Sequence, residues 1–205
     1  MAETGTAWVD AELGLAADPY RSFDTWYEAA AAADPQPYAM ALATVDAEGQ
    51  PALRMLLFRG VVAGALRFYT NYGSRKAAEL SANPRSALLF HWPALHRQVR
   101  IEGRVSVLPG AESDAYFATR DRESQLGAWA SHQSAPLASR EELRERMERF
   151  RERFAGGAVP RPPHWGGYGL LPARFEFWQN RANRLHDRYR YDRRGAGWQV
   201  QRLAP

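Results

Sequence analysis

Gly73-Ser74-Arg75-Lys76 places two cations where a strand hands the chain to a helix. Upstream, Leu66 to Tyr72 alternates apolar and polar residues as a half-buried strand does, and downstream Lys76 to Leu80 carries a helical pattern. Ser74 suits an N-cap, so free N–H groups of the first turn, with Arg75 and Lys76 beside them, make a positive pocket suited to a phosphate. An ordinary helix start with two solvated cations is the other reading of those residues. A second cluster lies further on. Tyr116, Arg120 and Ser124 are spaced by four, so an uninterrupted helix would set a phenol, a guanidinium and a hydroxyl on one face as an anion cradle. Its alternative is a wet helix face beside Arg122 and Glu123. Together, two phosphate-competent clusters suit an enzyme that joins a phosphorylated cofactor to a phosphorylated substrate.

Other chemistries find little support. Gly-x-Ser-x-Gly, the P-loop Gly-Lys-Ser/Thr and the paired-histidine metalloprotease helix are all missing. Gly167-Tyr168-Gly169 is a poor dinucleotide motif, because Pro172 falls where its helix should continue. The five histidines have neither cysteine partners nor ligand spacing, so no metal is expected. Aromatics and arginines mixed through strands also suit single-stranded nucleic acid, but seven tryptophans fit core and interface packing better, and no nucleic-acid partner is expected.

The elements that must position these residues come from 205 residues, 45% hydrophobic and 12% aromatic, enough for one domain with its own core. There are no cysteines, no membrane-length apolar run and no signal-like start, which leads us to expect a soluble cytoplasmic protein. The net charge of +4 is almost all arginine; lysine occurs once, at Lys76. Residues 1–18 read as a loose arm, and 19–205 as a single domain. Pro19 opens a helix to about Ala33 with Phe23, Trp26, Tyr27 and Ala30 on one stripe. Tyr38–Val45 and Pro51–Phe58 form a hairpin about Asp46–Gly49, and Ser86–Trp92 is a strand. In Arg97–Leu108, residues Val99, Ile101, Val105 and Val107 fall on one face, and Gly103 marks a bulge or bend. Helices are expected at about 110–120, 122–130 and 139–155, the last a solvent-facing salt-bridge helix, and strands at 169–178, 188–193 and 198–203. Short turns between such strands imply a mainly β, closed or nearly closed antiparallel barrel with flanking helices.

Phe68-Tyr69-Thr70-Asn71, Gly73-Ser74-Arg75-Lys76, Arg97-Gln98-Val99, Ser124-Gln125-Leu126-Gly127-Ala128-Trp129, Gln133-Ser134, Phe175-Glu176-Phe177-Trp178-Gln179, Arg184-Leu185-His186-Asp187-Arg188 and the closing Arg202-Leu203-Ala204-Pro205 occur in that order. From about residue 19 to the end, the chain resembles the pyridoxamine 5′-phosphate oxidase family. The resemblance implies an FMN-binding split β-barrel and a homodimer with two FMN molecules at its interface. It implies that Arg54, Arg75, Lys76, Gln133 and Ser134 hold the FMN phosphate and ribityl chain. Tyr69, Thr70, Gln98, Trp178 and Arg188 would border the flavin. Tyr116, Arg120 and Ser124 would take the substrate phosphate, and Arg184 and His186 would lie by the pyridine ring as the catalytic pair.

The implied reaction oxidises pyridoxamine or pyridoxine 5′-phosphate to pyridoxal 5′-phosphate. Hydride passes from C4′ to flavin N5, the amine product hydrolyses as an imine, and O2 accepts the electrons with release of H2O2. Arg59 stands where the family usually has a lysine reaching both FMN and the substrate phosphate. The 179–183 loop lacks the usual glycine pair, and the arm before residue 19 lacks an Arg-x-x-Tyr element of some relatives. A related oxidase acting on another ring, of the phenazine-pathway type, and a non-catalytic binder of flavin or pyridoxal phosphate are the alternatives.

Overall fold

The computed structural model describes residues 8–205. In chain order the elements are β1 (Trp8–Asp10), β2 (Leu15–Ala16), α1 (Pro19–Ala33), β3 (Ala39–Val45), β4 (Pro51–Leu57), β5 (Val61–Val62), β6 (Ala65–Asn71), α2 (Arg75–Ala82), β7 (Arg85–Trp92), β8 (Arg97–Val107), α3 (Gly110–Ala118), α4 (Arg122–Ala130), α5 (Arg140–Arg153), β9 (Trp165–Gln179), β10 (Asp187–Arg194) and β11 (Gly197–Leu203).

Six antiparallel strands in the order β4-β3-β7-β8-β9-β6 curl into a barrel. Closure comes just after β4, where Arg59 N–H donates to Arg67 O at 2.8 Å and Arg67 N–H to Gly60 O at 2.9 Å. The split lies in β9. One of its edges pairs with β6 through Trp165–Leu170 and then with β10 through Arg174–Gln179, while β8 follows the other edge. The change of partner coincides with a bulge, since Glu102 faces Arg174 but Gly103 faces Pro172. A Cβ at residue 103 would lie 2.2 Å from Leu171 O, which is why glycine stands there. This is the mainly β split barrel expected from the sequence.

Inward residues of the strands, among them Leu42, Phe68, Phe90, Ile101 and Phe177, fill the barrel, and α1 closes it with Phe23, Trp26 and Ala30. Asp18 caps α1 by accepting from Tyr20 N–H at 3.0 Å, with Pro19 in the first turn. The charged helix is as expected, with no buried residue and with ion pairs such as Arg151 to Glu123 on α4.

Three local expectations are corrected. The arm expected to be loose is packed from residue 8 on. Leu13 and Leu15 join the core, Trp26 Nε1 donates to Leu13 O at 2.7 Å and Tyr191 Oη to Ala16 O at 2.9 Å. Two buried leucines among small residues carried too little periodicity to read as structure, and residues 1–7 lie outside the described residues. Val107 does not share the buried face of Val99, Ile101 and Val105, because it ends its strand beyond the barrel wall and is exposed. Finally, β9 begins at Trp165, four residues before the expected start. Its Gly166 and Gly167 leave room for Tyr72 and Tyr69: a Cβ would lie 2.0 Å from the Tyr72 Oη and 2.7 Å from the Tyr69 ring.

Candidate active site

The cations at the strand-to-helix junction form one cluster. Ser74 does not cap α2 with its side chain, contrary to expectation: its hydroxyl donates to Asn71 O at 2.7 Å. Ser134 takes over from a distant loop, its Oγ accepting from Arg75 N–H at 3.2 Å. Lys76 is only 8% exposed, and its ammonium donates to Thr70 Oγ1 at 3.1 Å and to Gln133 Oε1 at 2.7 Å. Burial pulls Lys76 down to about 8, with Arg54 acting the same way and Glu79 against it. Arg54 donates to Leu42 O, Thr44 and Glu79, so it offers the cluster its charge and no free fork. Arg75 is held by Nε on Glu79 at 2.7 Å. Three cations therefore surround one carboxylate, with a surplus suited to a doubly charged anion.

A second cluster opens one residue back along β6. Tyr69 stacks on Tyr116 with centroids 3.8 Å apart, and Trp165 lies parallel beyond it. These rings, with Arg59 and Arg120, line a cavity of about 370 Å³. Arg59 Nε donates to Tyr116 Oη at 2.5 Å. Arg120 lies over the Trp165 ring at 4.8 Å, and its buried Nη1 has no hydrogen-bond partner among the described residues. Burial lowers the Arg120 pKa, and Arg59 beside it pulls the same way. Two guanidiniums, one with a buried donor that no other described group answers, have the chemistry to hold an oxyanion.

The unbroken helix that a Tyr116, Arg120 and Ser124 stripe would need is not formed; the chain follows the two separate helices expected at about 110–120 and 122–130, the first of which is α3. This helix stops at Ala118, and Asp121 starts α4 by accepting from Ser124 N–H at 2.8 Å. The break carries Arg120 into the cavity with Tyr116, whereas Ser124 lies in the first turn of α4 and is not among the cavity's lining residues. Asp121 followed by Glu123 is the helix-start signal at that expected boundary.

Gln98, Trp178, Arg188, Arg184 and His186 occupy a third place. Gln98, Trp178 and Arg188 form one cross-strand row. Arg188 is held by Nε and Nη2 on Glu176 at 3.0 and 2.8 Å. His186 lies 4.6 Å from the Trp178 ring, and its Nδ1 accepts from Arg181 N–H at 3.2 Å. Arg184 sits in the loop with φ 62°, and no described residue forms a side-chain hydrogen bond or ion pair with it. Trp178 is eleven positions along β9 from Gly167, the strand partner of Tyr69. That is on the order of 30 Å, so one chain cannot bring this row and the two anion clusters to a single ring.

The outer sheet face indicates how a second copy would supply the remainder. Leu53, Met55 and Leu57 are 69%, 63% and 44% exposed in alternate positions of β4. Cross-strand pairing from Met55 runs through Ala41, Leu89, Arg100 and Glu176 to Arg190, so this apolar stripe shares its face with the Gln98–Trp178–Arg188 row. Covering six such side chains in a symmetric pair is worth on the order of 10 kcal/mol before the cost of association.

Residues the sequence reading passed over include Glu79, Thr44 and Trp165. A glutamate between Lys76 and Leu80 on the buried stripe of α2 was the available sign of the first; nothing local marked the other two.

Profiles of two families match: pyridoxamine 5′-phosphate oxidase over residues 27–154, and the pyridoxine 5′-phosphate oxidase C-terminal dimerisation region over residues 165–205. A pyridoxine/pyridoxamine 5′-phosphate oxidase of Rubrobacter xylanophilus is 55% identical over 196 residues, covering 95% of this chain and 90% of the relative. Among solved structures, PhzG of Burkholderia lata in complex with tetrahydrophenazine-1-carboxylic acid superposes with a TM-score of 0.86 at 33% identity, over 92% of this chain and 93% of that one. A pyridoxamine 5′-phosphate oxidase-related, FMN-binding protein of Nostoc punctiforme shares the fold, with a TM-score of 0.73 at 20% identity over 92% of this chain and 98% of that one.

Proposed function

The chain belongs to the pyridoxamine 5′-phosphate oxidase family, and from that premise we propose that it is an FMN-dependent oxidase making pyridoxal 5′-phosphate from pyridoxamine or pyridoxine 5′-phosphate. The observation that carries the reading is the meeting of two anion-receptive clusters at consecutive residues, Tyr69 and Thr70. One suits the tail of the cofactor and the other the tail of the substrate.

The residues fit FMN. A buried lysine with a depressed pKa, two arginines and a serine-capped helix start match a phosphate. Arg54, Arg75, Lys76, Gln133 and Ser134 would hold the phosphate and ribityl chain, with Thr70 and Tyr69 leading to the ring. When bound, FMN supplies two-electron chemistry, taking hydride from the substrate and passing the electrons to O2 with formation of H2O2.

Every other contribution is binding and orientation by side chains. Arg120 and Tyr116 hold the substrate phosphate, and Arg59 braces Tyr116 while adding its own charge. Ser124 reaches this phosphate only if the first turn of α4 moves toward the cavity. From the second copy, Gln98, Trp178 and Arg188 border the flavin, and Arg184 and His186 cover the pyridine ring. Because Arg181 N–H occupies Nδ1, the neutral His186 ring carries its proton on Nε2 and offers the substrate a donor. That proton position favours orientation over general-base work for His186.

The homodimer belongs to the same reading, supported by the matched dimerisation region and the exposed β4 stripe. Among the described residues no helix is long and apolar enough to cross a membrane. The phenazine-type alternative meets a paired-guanidinium seat better suited to a phosphate than to a single carboxylate. Anaerobic addition of pyridoxamine or pyridoxine 5′-phosphate is expected to bleach the flavin absorbance of the purified protein. Retained flavin with no bleaching by either compound would refute the oxidase reading.

Lys76 gives the site a pH signature. Free of anion, its ammonium deprotonates near pH 8, well below the usual lysine value of 10.5. Phosphate binding requires the charged form, so above pH 8 binding must take up a proton and FMN affinity falls, by up to about tenfold per pH unit. Fluorescence titrations between pH 7 and 9.5 are expected to show this loss for FMN and not for riboflavin, which lacks the phosphate. A flat FMN profile would separate Lys76 from the phosphate.

A further inference from the structure

We propose that Glu79 is a positioning residue that sets the guanidinium groups of Arg54 and Arg75 for the cofactor phosphate. The inference rests on the FMN reading and adds a residue to it.

Glu79 is 3% exposed and lies on the inner side of α2. Its two oxygens take contacts from three elements. Oε2 accepts from Arg54 Nη2 of β4 at 2.7 Å and from Thr44 Oγ1 of β3 at 2.5 Å, while Oε1 accepts from Arg75 Nε at 2.7 Å. Burial opposes a charge there, yet the hydrogen bonds from Thr44, Arg54 and Arg75 hold the carboxyl below its usual range.

A buried carboxylate beneath an anion site would be counterproductive if charge alone mattered, since it cancels one of three cations. Its geometry offers a reason for its presence. Arg75 is 62% exposed and, among the described residues, is held by its side chain through Nε alone, which leaves both terminal nitrogens to meet an oxyanion. Arg54 is locked by Thr44 and Glu79 and cannot swing away. Glu79 thus removes the rotamer freedom of both arginines before the ligand arrives, and a net surplus of positive charge remains. Glutamine in its place keeps the shape but offers one acceptor oxygen, so one arginine is released. Aspartate keeps the charge but falls a methylene short of spanning both.

The test uses purified full-length protein stripped of flavin, with titration of FMN and of riboflavin into wild type, Glu79→Gln and Glu79→Ala, and into Glu79→Asp as the variant that keeps the charge. Flavin fluorescence quenching gives each Kd. We expect the FMN Kd to rise tenfold or more in all three variants with the riboflavin Kd unchanged, so that preference for the phosphorylated flavin narrows. Equal weakening of both flavins in every variant would overturn the proposal by making Glu79 merely structural. Tighter FMN binding in Glu79→Gln would overturn it by making the carboxylate a competing charge, and so would an FMN Kd in Glu79→Asp equal to wild type. Wild-type protein with no preference for FMN over riboflavin would instead bring down the FMN reading on which the proposal stands.

Discussion

Arg120→Ala is expected to raise KM for the phosphorylated substrate by roughly 10- to 150-fold, the range for losing a charge-assisted hydrogen bond, while the purified protein keeps its FMN. The split between the two ligands is the point. Arg120 faces the Tyr116–Trp165 cavity and is not part of the Lys76 cluster. Its guanidinium has an unanswered buried Nη1, so alanine removes a donor that has no other partner among the described residues. Lysine at 120 should recover only part of the loss, because a single ammonium cannot both stack on Trp165 and present a planar fork. Steady-state kinetics beside flavin-to-protein absorbance ratios would decide it. Loss of FMN with an unchanged KM would mean that the two anion seats have been exchanged.

A second large effect is expected from mixing two impaired variants, assayed at substrate well below either KM. If Tyr116 and Arg120 of one copy work with Arg184 and His186 of the other, Arg120→Ala and Arg184→Ala each spoil both sites of a homodimer. A hybrid dimer gathers both lesions into one site and leaves the other intact. Co-refolding equal amounts should therefore return about one quarter of wild-type activity, half of the sites in the half of the dimers that are hybrid. Each variant refolded alone sets the baseline. No recovery, in a mixture shown by tag exchange to contain hybrids, would place both halves of the site on one chain. The distance along β9 from Gly167 to Trp178 makes that outcome hard to build.

Much of the scaffold was legible because its signals are local. Asp18-Pro19 starts α1, Asp46–Gly49 turns the β3–β4 hairpin, and Gly103 sits at the bulge where only a hydrogen in place of a side chain fits. Misreadings arose where a partner distant in sequence decides. Ser74 looked like the cap of α2, but Ser134, 60 residues later, supplies the oxygen. The Tyr116, Arg120 and Ser124 stripe is a different case: it needed one unbroken helix, and the local Asp121 cap, three residues before Ser124, divides the chain into the two helices expected there. Glu79 carries no motif, and its place is visible only once β3, β4 and α2 surround it. The division of the site into halves was implied by family resemblance alone, since a sequence does not display the length of a strand as a distance.

β9 sets that distance. One end supplies the glycine against which Tyr69 lies, and the other carries Trp178, which in the proposed pair would serve the neighbouring molecule. In the proposed homodimer it would act as a rigid ruler between a reaction centre the chain keeps and one it serves. Its length is therefore tied to the spacing of the two centres. Removing two residues would preserve the in-and-out alternation yet shorten the span by about 6.6 Å, pulling both centres of the pair out of alignment at once.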